Sequence, residues 1–123
     1  DSKLRVSKNS TVFDGTVKTI VLTETKAKNQ ELQENVVFKE IDFSKNIAQQ
    51  ICEVLQKHKI QSVIIEGGSQ TLQTFINENL WDEARIFIGD VEFKKGVKAP
   101  VFLAKISSEE KIKTDILRTY FND

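Results

Sequence analysis

"SVIIEGGSQTLQTFI", residues 62–76, joins an apolar run to an acidic glycine turn and then to a stretch with helical spacing. Residues 62–65 are rich in β-branched side chains and form the strongest strand signal in the chain. Beyond the turn, Leu72, Phe75, Ile76 and Leu80 recur at helical intervals, which predicts a helix with one apolar face. A buried strand that turns sharply into an amphipathic helix is the repeating unit of an α/β fold.

The turn has two readings. The first amides of a helix lack intrahelical acceptors, and with the helix dipole they attract an anion. Gly67 and Gly68 would permit unusual backbone angles and close approach of a ligand. Ser69 and Thr71 add hydroxyls and Gln70 an amide, so the segment would serve as a diphosphate cradle. The same residues also make an ordinary bend, with Ser69 capping the first turn. The G-x-G-x-x-G spacing of dinucleotide-binding folds is absent. Glu66 sharpens the choice. A carboxylate aimed at the same amides would compete with a phosphate, so Glu66 either faces a second ligand or balances the helix charge.

Working outward, "TIVLT" (19–23) and "VVFKEI" (36–41) read as strands. Residues 24–35 between them are charged and lack apolar periodicity, as expected of a loop or one short exposed helix. Ser44 is the predicted N-cap of a helix that ends near His58, with Ile47, Ile51, Val54 and Leu55 on its apolar face. "ARIFIG" (84–89) is a strand with Ile86 and Ile88 opposite Phe87. A polar loop around Lys94–Gly96 leads to "APVFLA", and "DILRTYF" (115–121) closes the chain as an alternating strand. Strand and helix alternate, so parallel βαβ units are expected, with later strands pairing antiparallel in a mixed sheet.

A chain of 123 residues is long enough for a single packed core, so residues 1–123 are read as one domain. Eighteen basic residues balance eighteen acidic ones, which gives no basis for nucleic-acid or membrane-surface binding. No apolar run has membrane-spanning length. Cys52 is the only cysteine, so neither an internal disulfide nor a zinc cluster can form, and a reducing cytoplasm fits. Methionine is absent and the chain opens in mid-pattern, as expected of a piece of a longer polypeptide. His58 sits at a helix C-terminus that favours a cationic ring, a structural role. Cys52 reads as a small core side chain, and Asp82 and Glu83 as a solvated connection.

Several segments in fixed order carry a resemblance. "IQSVIIEGGSQTLQTFINENLWDEARIFIGDVEFKKGVKAPVF" (60–102), "DSKLRV" (1–6) and "DILRTYF" (115–121) together resemble the reductase domain of bifunctional riboflavin biosynthesis proteins. The resemblance is weakest over residues 24–58. It implies a dihydrofolate reductase-like α/β fold: a mixed β-sheet flanked by helices in three layers, here as the C-terminal part of the domain. It also implies NADPH-dependent reduction of 5-amino-6-(5-phosphoribosylamino)uracil to the ribitylamino product. Glu66 matches the acidic residue beside the substrate. Gly67, Gly68, Ser69, Gln70 and Thr71 match the segment holding the cofactor phosphates, and Ser2 and Thr23 match strand-end positions near the cofactor. No metal is implied. A homodimer is expected, with a deaminase domain in the full-length chain and no turnover by this stretch alone. The competing readings are a non-catalytic α/β module, for dimerisation or for binding a phosphorylated ligand, and a related reductase with another substrate.

Overall fold

The computed structural model describes residues 1–24, 34–92 and 94–122. It divides into two compact units, Asp1–Ser62 and Val63–Asp123. The loop-or-helix expectation for residues 24–35 falls mostly on residues 25–33, outside those described.

In the first unit, β1 (Thr19–Thr23) and β2 (Val36–Glu40) pair in parallel, from Thr19 opposite Val36 to Thr23 opposite Glu40. A short 3-10 helix, Thr11–Phe13, precedes them. Helix α1 (Ile47–Lys57) follows β2. Val21, Ile41, Ala48, Phe13 and the hydroxyl-bearing Thr23 are buried, whereas Gln49, Glu53, Gln56 and Lys57 are exposed. The apolar stripe therefore faces inward as its spacing requires.

The helix start differs from the expectation. Asn46, not Ser44, is the N-cap, and its side chain accepts the Gln49 amide at 3.1 Å. Ser44 instead donates its backbone N–H and hydroxyl to the Asp42 carboxylate. A hydroxyl two residues after an Asp is captured by that Asp in a local turn, and the capping position passes along the chain. The helix ends as predicted, with His58 as its C-cap. Lys59 follows at φ 59°, and Ile60 N–H returns to the Leu55 carbonyl at 3.0 Å. This is a Schellman closure carried by a lysine where glycine is usual.

In the second unit, α2 (Ser69–Asn77) is followed by β3 (Glu83–Ile88), β4 (Ser108–Ile112) and β5 (Asp115–Phe121). The three strands form an antiparallel sheet in the order β3-β5-β4. Phe75 of α2 and Tyr120 of β5 are its buried large side chains. Phe102 stands edge-on to both Trp81 and Tyr120, with ring centroids 5.0 Å apart in each pair. Strand β4, "SEEKI", had no apolar alternation to announce it. It is exposed throughout and is held by pairing to β5, including an Arg118–Glu109 ion pair at 2.8 Å between directly opposed residues.

Residues 62–65 correct the sequence reading. They belong to no sheet among the described residues, and Ile64 is 84% exposed. β-Branched composition marks a segment that suits a pleated surface; only a hydrogen-bonded neighbour makes it a strand. The βαβ alternation is accordingly not closed after α1. The α/β class holds, with one parallel pair, one antiparallel sheet and two α-helices among the described residues.

Candidate functional site

The candidate residues fall into two sets, one in each unit. In the first unit, Ser2 and Thr23 meet: the Ser2 carbonyl accepts the Thr23 hydroxyl at 3.1 Å and the Glu24 amide at 3.0 Å. The turn that brings Ser2 there is closed by Val6 N–H on the Asp1 carboxylate at 2.8 Å, with Leu4 at φ 50°. Thr23 is 1% exposed, so its hydroxyl fixes the end of β1 rather than presenting itself to solvent.

In the second unit, Glu66 and Gly67 lie exposed just before α2, and Gly68 is its N-cap. Gly68 has φ −63° and ψ 169°, and neither Gly67 nor Gly68 has a positive φ. The expected unusual backbone angles are therefore not what the turn needs glycine for. The two glycines do different things. A Cβ on Gly67 would lie 2.8 Å from Thr71 Cβ, so Gly67 permits the chain to pack against the first helical turn. A Cβ on Gly68 would meet nothing within 4 Å, so open space lies beside that backbone.

The helix start carries no side-chain cap from Gly68, and Ser69 is its first residue rather than its cap. The capping expectation for Ser69 is thus corrected. A glycine cap leaves the first-turn amides without a side-chain acceptor from the cap position, which suits an incoming anion. With the open approach over Gly68, the residues present fit a diphosphate.

The structure adds groups that sequence reading missed. The Gln73 carboxamide accepts Val101 N–H at 2.7 Å and donates to the Val101 carbonyl at 3.1 Å, while also donating to Asn77 Oδ1 at 2.8 Å. Only the Asn77 contact, one helical turn away, was visible as spacing. A cleft of about 690 Å³ is lined by Trp81, Phe102, Asn79 and Lys105 among others, and none of the sequence candidates line it.

Asp14, Asp42 and His58 of the first unit all titrate below their ordinary values. The Ser44 hydroxyl, then its amide and Lys45, hold the Asp42 carboxyl down to about 2. Desolvation, reinforced by Lys18 and Lys39, lowers the His58 imidazole below its ordinary value. That reverses the expected preference for a cationic ring, because desolvation, with the two lysines adding to it, penalises the charged form. Cys52 is a half-buried free thiol. Among the described residues no three His, Cys, Asp or Glu side chains gather as a metal site, and no helix is long and apolar enough to cross a membrane.

Comparison with known proteins defines the class. A model of the family described as RibD C-terminal domain matches residues 1–92. The chain belongs to the RibD C-terminal domain family. Acinetobacter baumannii RibD shares its fold at a TM-score of 0.78 and 18% identity, over 98% of this chain and 36% of that one. A Thermotoga maritima diaminohydroxyphosphoribosylaminopyrimidine deaminase/5-amino-6-(5-phosphoribosylamino)uracil reductase gives 0.77 and 23%, with the same coverage. The Saccharomyces cerevisiae riboflavin biosynthesis reductase gives 0.66 and 19%, over 83% of this chain and 54% of that one. The chain thus spans about a third of the two bacterial proteins and has the dihydrofolate reductase-like fold of the reductase part. No curated protein sequence matches it significantly.

Proposed function

We propose that this chain is part of an NADPH-dependent reductase that converts 5-amino-6-(5-phosphoribosylamino)uracil to its ribitylamino product in riboflavin biosynthesis. The observation that carries this reading is the family match over residues 1–92, which contains the whole glycine turn and the start of α2. NADPH, when bound, supplies the hydride that reduces the opened ribose. The chain's own residues bind and orient.

On this reading the Ser69, Gln70 and Thr71 amides hold the cofactor diphosphate, which approaches over Gly68. Gly67 keeps the turn close to Thr71 so that these amides converge. Glu66, exposed just before the turn, takes a hydrogen bond from the substrate and orients it for hydride transfer. Ser2 and Thr23, tied to each other, shape the end of β1 within the first unit. The functional unit is a homodimer in the cytoplasm, and a deaminase domain belongs to the same full-length polypeptide, as in the Thermotoga maritima relative.

The test is NADPH oxidation by the full-length protein, followed by absorbance with the ribosylaminouracil phosphate as substrate. Oxidation that depends on this substrate is the expected result. Failure to bind NADPH in a direct titration would overturn the reading in favour of a non-catalytic module.

A further inference from the structure

We infer that Gln73 is a positioning residue for the phosphate cradle, an inference that rests on the reading proposed above. Helix α2 has nine residues, too few to be stable alone, so its direction must be imposed from outside. Phe75 is its one buried residue and provides an apolar anchor. The second restraint is polar: Gln73 takes both backbone groups of Val101, at 2.7 and 3.1 Å, as a neighbouring strand would.

Gln73 and Phe75 are two residues apart, and so about 200° apart around the helix axis. Restraints on nearly opposite sides fix the rotation of the helix about its own axis, which a single anchor cannot do. Asn77, one turn on, accepts from the same Gln73 nitrogen at 2.8 Å and holds the amide in its orientation. Ser69 begins the helix about 6 Å along the axis from Gln73, so rotation at Gln73 turns the first amides by the same angle. Gln73 acts on the ligand through those amides and does not itself touch it.

The experiment titrates NADP⁺ into the full-length protein and into its Gln73→Met and Gln73→Glu variants, with hydrogen exchange of the Val101 amide read in parallel. Gln73→Met keeps the length and loses the clamp. The Val101 amide should lose protection and the NADP⁺ dissociation constant should rise about five- to thirtyfold. Gln73→Glu should weaken binding at alkaline pH, where a carboxylate only accepts, and recover it in acid, where the neutral carboxyl again donates and accepts. A Leu117→Ala variant, which loosens the central strand β5 instead, should lower the melting temperature without changing NADP⁺ affinity. Parent-like NADP⁺ binding by Gln73→Met, or a Val101 amide unprotected in the parent, overturns the inference. If the parent fails to bind NADP⁺ while its Val101 amide is protected, the cradle reading has failed, and this role for Gln73 falls with it although the clamp exists.

Discussion

Gln50 of α1 grips the backbone of Asp42: its carboxamide accepts Asp42 N–H at 2.8 Å and donates to the Asp42 carbonyl at 2.8 Å. A further bond to the Asn46 carbonyl at 3.1 Å ties the helix start to the same amide. One side chain thus satisfies both polar groups of a residue between β2 and α1, where the turn offers no ladder. Gln50→Met fills the same space without those bonds and should cost about 1–3 kcal/mol, read as a lower urea midpoint with an unchanged m-value.

The two glycines of the turn should separate fold from binding. Gly67→Ala brings a Cβ to 2.8 Å from Thr71 and should destabilise the protein by about 1–3 kcal/mol. Gly68→Val has open space and a φ of −63° that any residue adopts, so its melting temperature should stay near the parent's. It should nevertheless raise the NADPH dissociation constant about tenfold to several-hundredfold, because the side chain occupies the diphosphate approach. Parent-like NADPH affinity in Gly68→Val would show that the turn is only a bend.

Glu66→Gln keeps shape and hydrogen-bonding reach but removes the charge. Turnover should fall while NADPH affinity holds or improves slightly, since a carboxylate near the phosphates is lost. Steady-state kinetics beside a cofactor titration distinguish this from general damage.

Lys59 sits at φ 59°, where only glycine avoids a steric penalty. Lys59→Gly should raise stability by about 0.5–1 kcal/mol, the relief being partly offset by the greater freedom of glycine in the unfolded chain. Thermal melts of the two proteins at one pH give the comparison.

The lowered His58 value sets an acid limit to stability. Below 6.5 the unfolded chain takes up the proton more readily than the folded one, so stability rises with pH in that range. It is whole above 6.5 and is lost as pH falls through the folded value of His58. His58→Gln should flatten the slope of melting temperature against pH in this window. The contribution of Asp42 should remain until far lower pH, between 3.8 and about 2.

Much of the chain was legible in its own order because the deciding interactions are local. The apolar stripe of α1 and its end at His58 follow from side chains one turn apart. Strands β1, β2, β3 and β5 stand where alternation or β-branched runs put them. The glycine turn and its helix could likewise be read as a unit, and the order of segments around it marked the family. What escaped depends on partners far along the chain. Residues 62–65 have strand composition but no pairing neighbour among the described residues, and β4 has a neighbour but no strand composition. The roles of the two glycines were decided by what a Cβ would meet, and Gln73 found Val101 twenty-eight residues away. Local backbone preference is worth fractions of a kcal/mol per residue, so a distant hydrogen-bonding partner or a steric contact overrides it where the two disagree.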